Sequence, residues 1–294
     1  MMTEARGLSD LTPLTRRLSG SVDLRRVQWL SHAILIVLLF LTIVPVILLL
    51  LFSFKNNTQF YNQRFELTLP LYVDNYTRAW NADIGKYMLN SMLYTVGGVA
   101  LTLVPASLSA YVFARLRFFG KEVLFYMVLG LLMIPGVLTL IPSFILIIDL
   151  KLLSTRWAFW LPYAAGGQAF AILVLRTSFS GLPEDLFESA RVDGAREIRI
   201  FWSIVLPLSL PILGTLALLQ ANVIWNDLIW PLTINTNPEL KPVMAGLMIF
   251  TGIFRTNFGP LFAGYVLASL PMIALFAFTS RLFIRGLMSG AIRM

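Results

Sequence analysis

Residues 183–207 read PEDLFESARVDGAREIRIFWSIVLP, a polar, turn-punctuated insert between two long apolar runs. Its reading decides the fold. Pro183 suits a first helical position, and Glu184 and Asp185 follow where the helix dipole favours acids. Leu186, Phe187 and Ala190 recur at helical spacing, and Asp193-Gly194 breaks the run as a turn dipeptide does. A second helical piece carries Ile198, Phe201, Trp202 and Val205, and Leu206-Pro207 predicts a sharp bend into the next apolar run. The spacing therefore predicts a two-piece helical elbow with an apolar stripe, held at a membrane surface. Two readings of the stripe stand at this level: a surface covered by another protein, or an amphipathic helix resting in lipid headgroups.

The chain around the elbow dictates the membrane. It is 57% hydrophobic and 13% charged, with mean hydropathy +0.77. A soluble domain of 294 residues could not bury that much apolar surface, so its solvent is mostly bilayer. The net charge is +8, but the basic residues sit in short segments between apolar runs. That marks membrane orientation rather than nucleic-acid binding, and no nucleic-acid partner is expected.

Outward from the elbow, six apolar runs are predicted to span. Residues 1–30 are a polar, basic cytoplasmic arm, unstructured or lying on the surface. Residues 31–54 are the first transmembrane helix; its apolar run is too long for a cleaved signal peptide. Residues 55–86 form an external loop, in which Asn56 and Asn75 head glycosylation-like triplets that are read as chance matches. Residues 87–284 are the core of five further helices. There Ala106, Ala110 and Ala114 make one close-packing ridge, and Gly264 with Ala268 makes another. Pro135 and Pro142 predict bends in the third span. The cytoplasmic loop 177–207 contains the elbow, and residues 285–294 are a cytoplasmic tail. In this arrangement inner segments hold 15 of the 23 Lys and Arg residues and outer loops hold 8, the sign expected for a cytoplasmic N-terminus.

Little in the sequence can do covalent chemistry. It has no cysteine and one histidine, His32, at a span boundary where interfacial packing is the expected role. There is no phosphate-cradling G-x-x-x-x-G-K-[ST] loop. No catalytic constellation and no metal site are expected. Uphill transport would thus draw energy from a partner, through the elbow. The fifth span, about residues 208–234, is the candidate solute-facing wall. At 100° per residue Gln220 and Asp227 share one face, and Asn222 and Asn226 another. Solute contact and structural anchoring both remain open for Asn226 and Asp227. Trp225 and Trp230 are expected in an interfacial aromatic belt.

Glu188-Ser189-Ala190, three residues, Gly194, nine residues, then Ile204-x-Leu206-Pro207 resembles the EAA loop of ABC importer permeases, with Ser189 in place of the middle alanine. The wider likeness covers about residues 67–294. The pairs Asn75-Tyr76 and Asn90-Ser91, the run Ala110-Tyr111-Val112-Phe113-Ala114-Arg115, Trp225-Asn226-Asp227 and residues 285–291 all resemble carbohydrate ABC importer permeases of the maltose type. The resemblance implies an all-α integral membrane protein with six transmembrane helices and the type I ABC importer permease fold. It implies a second permease subunit, a homodimeric cytoplasmic ATPase, an extracytoplasmic solute-binding protein and the lipid of a bacterial inner membrane, with both termini cytoplasmic. No cofactor would be bound by this chain, since ATP and magnesium would sit in the ATPase. Glu188, Ser189, Ala190, Asp193, Gly194, Ile204, Leu206 and Pro207 would couple to that ATPase, with Glu188 as the charged contact. A sugar or oligosaccharide is the expected solute. The alternatives are glycerol phosphate, an amino acid or a peptide within the same class, or a self-sufficient secondary transporter outside it.

Overall fold

The computed structural model describes residues 24–234, 237–251 and 256–291. Most of the expected arm, and the end of the tail, lie outside them. The chain divides into two units, residues 1–51 and 52–294. The first unit holds most of α1 (Leu24–Ser53). The second begins with α2 (Asn57–Asn62) and α3 (Asp74–Ala79), followed by α4 (Gly85–Arg115). Next come α5 (Lys121–Gly130), α6 (Gly136–Asp149) and α7 (Trp157–Ser180). The elbow is α8 (Asp185–Val192) and α9 (Glu197–Ile200), the latter extended by a π-helical segment Phe201–Val205 and a turn Leu206–Leu208. The chain then forms α10 (Leu210–Asn226), α11 (Ile229–Ile234), α12 (Val243–Gly246) and α13 (Phe258–Ala291). The last of these stays helical through most of the expected tail.

Among the described residues, four stretches are long and apolar enough to cross a bilayer unaided: Ser31–Ser53, Asp74–Arg115, Trp157–Ser180 and Phe258–Thr279. Two bent pairs complete six: Lys121–Met133 with Gly136–Asp149, at 99°, and Glu197–Leu208 with Leu210–Asn226, at 75°. The first bend falls where Pro135 forces its predecessor Ile134 out of the helical region, leaving both residues extended. The second falls at Ser209, whose φ of −99° and ψ of 5° leave the helix. It therefore lies two residues beyond the bend expected at Leu206-Pro207. A proline within a helix removes one donor to the preceding turn, and here the chain passes Pro207 by widening into π-helix before it, then turns at Ser209.

The hydrogen bonds fix how these pieces run. Trp160 Nε1 donates to Leu93 O and Gln168 Nε2 to Leu101 O, and Arg115 donates to Leu182 O just past the end of α7, all three at a sequence separation of 67. A constant separation means that α4 and α7 run parallel. The bonds extend from Leu93 to Arg115, about 33 Å at 1.5 Å rise per residue. Two parallel spans need an intervening crossing, so α5 and α6 together carry the chain back through the bilayer. Along α4 the ridge of Ala106 and Ala110 is fully buried. Gly97 admits the Trp160 ring, which a Cβ there would meet at 2.3 Å. On α13, Ala268 is buried, and a Cβ on Gly264 would lie 2.2 Å from Leu247.

The end of the bundle opposite the elbow is a built cap rather than a plain polar loop. Lys55 is buried, and its ammonium donates to Gln63 O and Glu66 O, both at 2.5 Å. Asn75 Nδ2 holds Ser53 O and Lys55 O, at 2.9 and 3.0 Å. Asn90 Nδ2 holds Glu239 O and Lys241 O at 2.8 and 3.0 Å, and Ser91 Oγ accepts from Val243 N at 2.8 Å. These are the Asn-Tyr and Asn-Ser pairs singled out in the sequence, and they tie loop backbone to the spans. Asn90→Ala leaves two carbonyls without these donors and is expected to destabilise by about 1–3 kcal/mol, read as a lower unfolding midpoint in detergent.

Candidate functional site

The elbow closes one end of the bundle. Its turn forms where Asp193-Gly194 predicts it: Gly194 has φ +75°, its N–H bonds Arg191 O at 3.0 Å, and Ala195 N bonds Ala190 O at 2.9 Å. Left-handed backbone is the conformation glycine adopts at no steric cost.

The expected single apolar stripe is in fact two faces. Phe187 is 0% exposed and Ile200, Phe201 and Val205 are buried, all in one cluster with Tyr111, Leu175 and Phe179. Ala190, Ile204 and Leu206 pack against that cluster, so they hold the elbow to its own chain rather than facing outward. The outer face carries Val192 at 88% exposure, Ile198 at 56% and Leu186 at 38%, and Trp202 is exposed at 58%. Glu188, Ser189, Asp193 and Pro207 are exposed as well, and the Glu188 carboxylate makes no ion pair with any described residue. Trp202 instead borders a groove lined by Leu103, Val104 and Leu108 of α4, so the mixed apolar and acidic surface open to a partner is that of Leu186, Glu188, Val192 and Ile198.

Two side chains of α4 anchor it. Arg115 donates to Glu184 Oε2 at 2.6 Å, to Phe179 O at 2.7 Å and to Leu182 O at 2.6 Å, with its guanidinium 3.9 Å from the Phe187 ring centroid. One turn earlier, Tyr111 donates to Glu197 Oε2 at 2.5 Å. Arg191 Nε donates to the other oxygen of Glu197 at 3.1 Å, and this bond pushes its pKa above the ordinary arginine value. Arg176 repeats the Arg115 arrangement, pairing with Glu122 at 2.7 and 2.9 Å over the face of Phe125. In the sequence Tyr111 and Arg115 belong to the run 110–115 that resembles the family, with no role of their own. Their signal was the spacing of four, which puts a hydroxyl and a guanidinium on one helix face.

The polar residues of the fifth span divide. Gln220 Nε2 donates to Tyr163 O at 3.0 Å, and Gln220 and Asn222 both line a cavity of about 300 Å³ with Thr102, Gly167 and Phe170. A Cβ on Gly167 would lie 2.8 Å from Gln220 Oε1, so the missing side chain makes room for the amide. Asn226 is exposed and donates to Asn222 O at 2.9 Å. With Leu219 and Val223 these two asparagines form an open face of α10. Asp227 has both carboxylate oxygens engaged: Oδ2 accepts from Tyr163 Oη at 3.0 Å, and Oδ1 accepts from Ile229 N at 3.1 Å and more weakly from Trp230 N at 3.4 Å. It closes α10 and starts α11, an N-cap arrangement. Trp225 and Trp230 are buried, with Trp230 Nε1 bonded to Ala158 O at 3.0 Å. The interfacial belt expected of them is replaced by packing within the chain, because each indole finds protein on every side.

The comparisons with known proteins agree with this geometry. The chain is 31% identical over 280 residues to the diacetylchitobiose uptake system permease protein NgcG of Streptomyces coelicolor, covering 94% of this chain and 92% of that one. It is 32% identical over 272 residues to the arabinooligosaccharides transport system permease protein AraQ of Halalkalibacterium halodurans, covering 90% and 96%. The fold matches a chain in the crystal structure of a bacterial ABC transporter involved in import of the acidic polysaccharide alginate. That match has a TM-score of 0.77 at 24% identity, over 90% of this chain and 98% of that one. Residues 103–289, which include the elbow, α10 and most of α13, match the family model, and this multi-pass membrane chain belongs to the binding-protein-dependent transport system inner membrane component family.

Proposed function

We propose that the chain is one of two permease subunits of an ATP-driven importer that carries a sugar or oligosaccharide across a bacterial cytoplasmic membrane. Both termini and the elbow face the cytoplasm. The elbow docks on one protomer of a homodimeric ATPase, which binds ATP and magnesium, and an extracytoplasmic binding protein delivers solute to the opposite end. One observation carries this reading. The elbow keeps Leu186, Val192 and Ile198 exposed beside Glu188, which has no ion pair among the described residues, although its other face is packed. Such a surface fits a groove with an apolar floor and a basic rim. Ser189 lies exposed on the same element, and Asp193-Gly194 sets the angle between its two arms. The open face of α10, with Asn222 and Asn226 beside Gln220, supplies amide hydrogen-bonding groups suited to sugar hydroxyls. The sugar class is supported by what the relatives NgcG and AraQ are named for.

The test is purification of the tagged chain from its native membranes, followed by reconstitution in vesicles. An ATPase and a second permease are expected to co-purify. Uptake of diacetylchitobiose or of arabino-oligosaccharides is expected to require ATP and a binding protein. Recovery of the chain alone, or uptake without ATP, would overturn the proposal.

A further inference from the structure

The polar contacts at the base of the elbow close on themselves. Tyr111 and Arg115 stand one turn apart on α4. Tyr111 Oη donates to Glu197 Oε2 at 2.5 Å, and Glu197 Oε1 accepts from Arg191 Nε at 3.1 Å. Arg191 Nη1 lies 3.5 Å from Glu184 Oε1, and Glu184 Oε2 accepts from Arg115 Nη1 at 2.6 Å. Each carboxylate gives one oxygen to α4 and the other to Arg191. The circuit straddles the Gly194 turn, so each arm of the elbow has its own attachment to the same face of the same helix.

We infer that Tyr111, Arg115, Glu184, Arg191 and Glu197 form a positioning ring that makes the elbow and α4 a single mechanical body. The inference rests on the coupling role proposed above and adds where the displacement goes. Singly, the half-exposed Arg191 pairs would hold little. Within the ring each charge is held from two sides, and neither arm can tilt on α4 without breaking a contact at its own attachment. A push on the outer face of the elbow is therefore delivered to α4, the spanning helix bonded to α7 over most of its length. The ring members are positioning residues: they need touch neither solute nor nucleotide.

The chain contains no cysteine, so spin labels at Arg196→Cys and Val104→Cys report elbow against α4 in the complete complex with cysteine-free partners. With the ring intact, the distance by double electron–electron resonance is expected to stay within about 2 Å between the nucleotide-free and the ATP-plus-vanadate states. In Glu197→Gln and in Tyr111→Phe it is expected to broaden and to shift on nucleotide addition by about 5 Å, one helical turn, while ATP hydrolysis is retained. A purely structural clamp would not make the distance depend on nucleotide. An equal nucleotide-driven shift in the unmodified ring, or distributions in the variants identical to it, would overturn the inference. Should no ATPase co-purify, the coupling role falls by itself, and the ring is still judged by the width of the nucleotide-free distribution.

Discussion

Gly194→Pro abolishes uptake while the chain still reaches the membrane. The native φ of +75° is closed to proline, whose ring holds φ near −65°, and the N–H that bonds Arg191 O at 3.0 Å would be lost with it. The combined cost is about 3 kcal/mol or more, concentrated at one turn. That turn sets the angle between α8 and α9, so the chain reopens it, separating Arg191 from Glu197 and misdirecting Val192 and Ile198. The spans are untouched, and insertion therefore persists. Gly194→Ala is the control: nothing lies within 4 Å of the added Cβ, so it carries only the left-handed penalty of about 1–2 kcal/mol and retains part of the activity. Vesicle uptake of diacetylchitobiose, normalised to membrane-inserted protein by immunoblot, separates the cases. Full uptake by the proline variant would remove the elbow from the transport cycle.

The second large effect is expected at Arg115. Arg115→Ala removes donors from Phe179 O and Leu182 O, breaks the pair with Glu184 and uncovers the face of Phe187. Glu184 is half-exposed and regains water, so its pair adds little to the loss. The two charge-assisted bonds to carbonyls and the desolvated cation–π contact together are worth about 3 kcal/mol. Limited proteolysis in detergent should then cut within residues 183–196 many times faster than in the native chain. Arg115→Lys should recover little of this, because an ammonium cannot span two carbonyls and a carboxylate in one plane. Unchanged protease resistance in the alanine variant would show that apolar packing alone holds the elbow.

Much of this architecture was legible from residue order. Apolar run length gave the spans, the Asp193-Gly194 dipeptide gave the turn, and the small residues of α4 and α13 marked where helices approach. What escaped has a common cause: helical period tells which residues share a side, not what stands against that side. Phe187 and Val192 look alike in sequence, yet one is sealed beneath Arg115 and the other is open. In a bilayer the lipid-facing and protein-facing sides of a span are equally apolar, so Trp225 and Trp230 could not be told from a lipid-facing belt. The geometry of Asp227 depends on Tyr163, 64 positions away. The proline at 135 announced a bend but not its 99° extent, which depends on both Ile134 and Pro135 being extended.

The equally offset hydrogen bonds that join α4 to α7 and to Leu182 just beyond it carry one more implication. A pair fastened at three levels along its length has no freedom to slide lengthwise; advancing one partner by a turn would sever every fastening at once. Opening and closing of the solute route must then be accommodated elsewhere. The two places where a crossing is already interrupted, Ile134-Pro135 and Ser209, are the natural pivots, and amide exchange there should quicken during turnover while the interior of α4 stays protected.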